Sequence, residues 1–232
     1  MTKKAVLLVE GQGDVLFFQA LLRREGLLDV VDIEPPRSFG FPSDSVSLFP
    51  KLIEILVGKR MSTGNLDYLG VVADADHTSG GGVDSRWSAI TEALKKQRYR
   101  IPKNMPKLAN TGSIFKNTDG LPPVGLWLMP NHANNGMLED LILGAADREN
   151  PEQSSLLNYA DRVVTDLPTR LFGSTHESKA KTYSWLAWQK RPGQTLDVAI
   201  NGELLDAENT SLKGLVAWLH QVFPGLSRNK RP

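Results

Sequence analysis

The sequence predicts an α/β fold: a three-layer α/β/α sandwich with a mainly parallel sheet and a helical C-terminal extension. Three observations predict it. Ala5–Val9, Leu69–Ala73 and Val124–Met129 are short apolar runs, suited to strands covered on both faces. Segments of helical period separate them, which is the βαβ pattern of a parallel sheet. Beyond about Asp147 the helical pattern runs alone.

Ala5–Val9 is the first strand. Gly11 and Gly13 permit a tight turn. Val15, Leu16, Phe18, Leu21 and Leu22 then form one helical stripe, closed by Arg23-Arg24 and Gly26. Val30–Ile33 reads as a second strand, ended by Pro35-Pro36. Asp44 or Ser45 can cap a helix running to about Gly58, which Pro50 either kinks or starts. Leu66–Ala73 is the third strand. Thr78–Gly82 is a glycine-rich loop. Val83–Arg98 is a helix with Trp87, Ile90 and Leu94 on one face. Arg98–Gly120 is polar, basic and poorly patterned. Val124–Met129 is a strand and Met137–Ala146 a helix. Pro151–Thr165, His176–Gln189 and Ser211–Val222 are the helices of the extension. The expected division is an α/β unit over residues 1–147 and a mainly helical extension over 148–232 packed on it.

The 232 residues include no cysteine. That excludes a disulfide framework, a thiolate metal site and a cysteine nucleophile. The net charge of +1 gives no global attraction to nucleic acid, so a local patch must supply any. The apolar run after Met1-Thr2-Lys3-Lys4 stops at Glu10, too short for a secretory segment, and no stretch is long enough to span a bilayer. The expectation is a cytoplasmic protein without membrane contact.

Chemistry concentrates in two acidic stretches. Glu10-Gly11-Gln12-Gly13-Asp14 follows the first strand, and Asp74-Ala75-Asp76 follows the third. In one parallel sheet these acids emerge at its C-terminal edge, where open α/β sheets bind their ligands. Like charges at about 4 Å and an effective dielectric near 20 repel by roughly 4 kcal/mol. A hard divalent cation is the usual remedy, since Mg²⁺ and Mn²⁺ prefer oxygen ligands. The pattern points to a metal-dependent phosphodiester enzyme.

Glu10 after the first strand, with Asp74-x-Asp76 after a later one, resembles the TOPRIM domain, the metal-binding module of topoisomerases, primases and several nucleases. Asp14, and Glu139-Asp140 at a helix start, are similar to the overcoming-lysogenization-defect (OLD) nuclease branch. Over residues 4–147 the chain also resembles a small bacterial and archaeal TOPRIM-like family without assigned function. The resemblance implies a TOPRIM/Rossmann-like sheet, nuclease activity and one or two Mg²⁺ or Mn²⁺ ions. Glu10, Asp74 and Asp76 would hold one ion. Asp14 with Glu139 or Asp140 would help hold a second. A basic residue would offset charge on the transferring phosphate, with Lys181 preferred over Lys179. It also implies a separate ATPase partner protein and leaves an oligomer open.

Between Glu92 and Asp119 stand Lys95, Lys96, Arg98, Arg100, Lys103, Lys107 and Lys116 with no acid. Lysines at a helix end are ordinary dipole partners, but the rest suggest a phosphate-tracking surface. His77 and His132 fall near the active edge, and both read as satisfied loop histidines. Trp185, Trp188 and Trp218 read as core, or as an interface. Two rivals stand beside the nuclease. One is a small-molecule phosphohydrolase or nucleotidyl transferase with the same acids. The other is a non-catalytic nucleic-acid- or partner-binding module of a defence or repair system.

Overall fold

Successive strand residues take opposite sides of a sheet. Ala5 and Leu7 of β1 (Ala5–Leu8) enter one core with Val72 of β3 (Tyr68–Asp74) and Trp127 of β5 (Val124–Met129). Val6 and Leu8 enter the other with Val71, Leu126 and Leu128. Every residue of β1 and β5 is buried, as the apolar runs require. These are properties of a computed structural model that describes residues 4–77, 81–105 and 108–226. Residues 78–80 of the expected glycine loop, Lys107 and the basic tail after 226 lie outside the described residues.

The sheet has five strands in the order β2-β1-β3-β5-β4, where β2 is Asp32–Glu34 and β4 is Ser113–Phe115. β1, β2, β3 and β5 are parallel, and β4 joins β5 antiparallel. On one face lie α2 (Phe49–Ile55), continued by a π-helical stretch Leu56–Met61, and α3 (Gly82–Lys96). On the other lie α1 (Gln12–Arg24), α4 (Leu138–Ala145) and α8 (Thr210–Val222). α5 (Pro151–Thr165), α6 (Glu177–Ala187) and α7 (Val198–Asn201) complete that layer, with α6 against α4 and α5, and α7 against α1.

The helices beyond Asp147 share a core with the sheet. Trp218, Leu219 and Val222 pack with Leu7, Val72 and Trp127. A Cβ on Gly125 of β5 would stand 2.3 Å from Val222 Cγ2, so only glycine lets α8 lie this close.

Several elements differ from expectation, and β3 starts at Tyr68, two residues late. β2 starts two residues late, because the Val30 and Val31 N–H groups turn back onto Leu27 O. β4 and α7 were not anticipated. β4 has three residues and buries only Phe115, so it shows no alternation. Pro50 lies in the first turn of α2 and marks its start, where its missing N–H costs nothing. Among the described residues no helix is long and apolar enough to cross a membrane.

Candidate active site

β1 and β3 are parallel neighbours, so the residues just past them meet at one rim. Glu10 lies two residues beyond β1, and Asp74 ends β3. Glu10 Oε1 accepts the Asp74 N–H at 2.8 Å. Asp14 is the third residue of α1, and its Oδ2 accepts the Gly11 N–H at 3.1 Å. Asp74 Oδ1 accepts the N–H of Leu138, first residue of α4, at 2.9 Å. That bond sets the start of α4 against β3 and delivers the next residue, Glu139. Two strand ends and two helix starts thus bring Glu10, Asp14, Asp74 and Glu139 into one cleft of about 310 Å³. Asp44, Lys179 and Tyr183 complete its wall.

The four acids oppose one another's ionisation. Burial, then the charge of Asp14, raises Glu10 to about 8. Burial, then Glu139, raises Asp14 to about 6. Asp74, 8 % exposed, is pushed well above the carboxylate range by burial and by Glu10, Asp14 and Glu139. Burial also raises Glu139, against the pull of Lys179. Burial disfavours the Lys179 ammonium, but Glu139, Asp74, Asp14 and Glu10 outweigh it and raise its pKa. Tyr183 is raised by burial and by Glu139. The cleft is therefore short of positive charge: the Lys179 ammonium, with the Arg86 guanidinium acting on Glu10, does not balance four carboxyls.

Several anticipated residues stand elsewhere. Asp76 does not line the cleft. It adopts a left-handed backbone with φ of 60° and exchanges backbone hydrogen bonds with Gly136. That conformation breaks the strand alternation that would have set it beside Asp74. Its carboxylate pairs with Arg86, whose Nε also donates to Asp74 O at 2.9 Å. Asp140 Oδ2 accepts the Met137 N–H at 2.8 Å, capping α4, and Oδ1 accepts from Ser178. Glu139 is therefore the member of the acidic pair that reaches the cleft. Lys181 pairs with Asp161 at 2.6 Å and Glu177 at 2.8 Å. Lys179 is the lysine at the acids, two residues earlier and on a different side of α6.

Lys95, Lys96, Arg98, Arg100, Lys103 and Lys116 are exposed. Lys116 follows Phe115, which pairs with Val124, the first residue of β5. The Thr118 N–H bonds to Arg98 O, and the Arg100 N–H to Lys116 O. Arg98, Arg100 and Lys116 thus occupy the sheet edge opposite the cleft, about 20 Å away along the six residues of β5, just after Lys95 and Lys96 at the end of α3, whereas Lys103 lies along α3 with Asp84 and Trp87. Tyr99 among them is buried and donates to Pro122 O at 2.8 Å. His132 is a core histidine. Its Nδ1 accepts the Leu128 N–H at 3.0 Å, so Nε2 carries the proton, 2.9 Å from Ser113 Oγ. Burial lowers its pKa to about 4. His77 does not line the cleft, and its Nε2 is buried without a hydrogen-bond partner among the described residues.

The sequence reading missed Asp44, Tyr183 and Arg86. Tyr183 had a signal, since it stands four residues after Lys179 on the same helical face. Asp44 and Arg86 had none, because loop 35–45 and the first turn of α3 reach the rim only through the fold.

The model of the family described as "Protein of unknown function (DUF3226)" matches residues 4–224. The chain belongs to the DUF3226 family. The match runs through the acidic cleft and all eight α-helices of the described residues. Neither a curated protein nor a solved structure matches this DUF3226 chain.

The donor chemistry of the cleft suits a hard cation, because all four acids offer carboxylate oxygen. Among the described residues no group of three or more histidine, aspartate or glutamate side chains converges closely enough to hold an ion as placed. Glu10 and Asp74 each give one oxygen to a backbone N–H. Among the described residues nothing hydrogen-bonds Glu10 Oε2 or Asp74 Oδ2. Rotation about the carboxyl-bearing bonds is what an ion would require.

Proposed function

We propose that the cleft is a Mg²⁺- or Mn²⁺-dependent phosphodiester hydrolysis site, a nuclease site of TOPRIM type. One observation carries the reading: four acids from four separate elements meet in one cleft, where burial and neighbouring carboxylates raise Glu10, Asp14 and Asp74 and burial raises Glu139. Glu10 and Asp74 are the ligands for one ion, and Asp14 with Glu139 for a second. The bound cation would supply an acidified water and charge stabilisation at the phosphate. Lys179 faces the same space and offsets charge on the transferring phosphate. Tyr183, held protonated, donates a hydrogen bond to it. Asp76 acts by holding Arg86, and Asp140 by holding α4 and α6. The resemblance to the OLD branch further supports an ATPase partner.

The test is digestion of plasmid, single-stranded DNA and RNA by the purified protein with Mg²⁺, Mn²⁺ or EDTA. Metal-dependent cleavage that is lost in both Glu10→Ala and Asp74→Ala is the expected result. Cleavage that survives both substitutions, or no cleavage of any nucleic acid, overturns the reading.

A small-molecule phosphohydrolase or nucleotidyl transferase is the second reading. It is favoured by the placement of the basic stretch at the edge away from the cleft. Turnover of nucleotides without cleavage of polymers selects it.

A further inference from the structure

A second concavity, of about 570 Å³, lies between the start of α5, the end of α6 and α7. Trp188 forms part of its wall. The chain has five tryptophans. Trp87, Trp127, Trp185 and Trp218 are buried, whereas Trp188 is 37 % exposed. Its ring is braced by Tyr159, with centroids 5.2 Å apart, and the Arg162 guanidinium lies 5.0 Å from the Tyr159 ring. A braced exposed ring loses little freedom when a flat ligand stacks on it.

The polar groups of the pocket limit the ligand class. Gln189 is fixed by its bonds with the Gln153 amide and Trp185 O, while Asn150, Gln194 and Asn201 bring further amides to the wall. Lys190 and Arg191 meet Glu152, Asp197 and Glu203 in the wall, two positive against three negative groups. That balance does not attract a phosphate. It suits a neutral flat ring with both donors and acceptors, which is the chemistry of a nucleobase.

One chain segment runs between the pocket and the acidic cleft. Leu196 lines the cleft, and the next residues, Asp197 and Val198, line the pocket. From Lys179 to Trp188 the nine-residue rise of α6 is about 14 Å. That spans roughly four steps of a stacked strand.

We propose that this pocket takes an unpaired base of a polynucleotide, stacked on Trp188, while the phosphodiester of that strand occupies the acidic cleft. The choice of ligand rests on the phosphodiester reading above. A base inside a duplex has its edge paired and both ring faces covered by stacked neighbours, so the substrate is single-stranded.

The experiment uses the full chain with Ca²⁺ in place of Mg²⁺ or Mn²⁺, so that a hard cation can offset the acids of the cleft while binding is read without cleavage. The probes are a fluorescein-labelled oligothymidylate about eight nucleotides long and a labelled duplex of equal length, followed by anisotropy. The single strand binds at least about tenfold more tightly than the duplex. Trp188→Ala weakens single-strand binding by about tenfold or more, the loss of one base–aromatic stack. Trp188→Phe keeps binding within about threefold, because the stacking face remains. Unlabelled oligothymidylate quenches tryptophan emission in the wild type but not in Trp188→Phe. Equal binding by wild type and Trp188→Ala overturns the proposal. So does quenching that persists without Trp188, or quenching by maltoheptaose and not by the oligonucleotide. Cleavage with Mn²⁺ is scored separately on the same strand. Stacking on Trp188 without cleavage sinks the catalytic reading and leaves the base pocket standing.

Discussion

Burial, and then the charge of Asp14, strips Glu10 of most of its acidity, and this has a measurable consequence. Its ordinary value of 4.5 rises to about 8 in the folded protein. Between those values the folded chain keeps a proton that the unfolded chain has released. Stability from this group is therefore full below pH 4.5 and is lost as pH rises towards about 8. Asp14, raised to about 6, adds a loss of the same sign in its lower window. In EDTA the melting temperature should fall by roughly 5 °C between about pH 5 and pH 8. Glu10→Gln should flatten the fall, and Mn²⁺ at pH 8 should reverse it in the wild type only. Circular dichroism melts check this, and an equally steep fall in Glu10→Gln would refute it. The two lysines make a second test. Lys179→Ala should lower the cleavage rate by about 10²–10³-fold, the loss of one group that stabilises developing charge. Lys181→Ala breaks only its pairs with Asp161 and Glu177, and should change the rate by less than about threefold. A reversed order of the two would return the role to Lys181. At this scale the sequence was legible where an acid directly follows a strand, as at Glu10 and Asp74. It was not legible for Asp76, Asp140 and Lys181. Each sits one or two residues from the cleft-lining position, and a turn conformation or a helical rotation decides between them.

The start of α4 shows how an element serves the site without touching its chemistry. Asp140 caps the helix at the Met137 N–H and receives Ser178 from α6. It thereby ties α6, which carries Lys179 and Tyr183, to the helix that carries Glu139. Loss of the cap costs about 1 kcal/mol, and loss of the Ser178 bond a similar amount. Asp140→Ala should thus lower unfolding free energy by about 1–2 kcal/mol, measured in urea. Its affinity for Mn²⁺ by calorimetry should stay within about threefold of wild type, since Glu139 and not Asp140 faces the cleft. A tenfold or greater loss of affinity would show that Asp140 is a ligand. Elements long enough to show a period were legible: α5 has the bounds expected of it, and so does β5. β4 was hidden because three residues cannot display alternation, and its pairing with β5 is set by the sheet and not by its own pattern. α7, with four residues, was hidden for the same reason.

On the scale of the whole molecule, a sheet of fully apolar strands needs cover on both faces. α2 and α3 supply one cover from within the first 147 residues. The other cover is not complete there. α1 and α4 reach part of that face, while Leu7, Val72 and Trp127 also pack with Trp218, Leu219 and Val222 of α8. The sequence shows a change of pattern near Asp147, but a change of pattern is not a boundary of the core. The glycines confirm how close the contact is: a Cβ on Gly125 would collide with Val222, and one on Gly70 would stand 3.3 Å from Phe223 Cζ. α6 belongs to the same layer and brings Lys179 and Tyr183 to the cleft. A fragment of residues 1–147 should therefore lack both the cover of its sheet and one wall of its cleft. It should show no cooperative thermal transition, bind an apolar dye strongly and have no metal-dependent cleavage, whereas residues 4–226 should unfold in one transition. A fragment that melts cooperatively and stays dye-silent would mean that α1 and α4 suffice to close the second face, and that the later helices are an appendage.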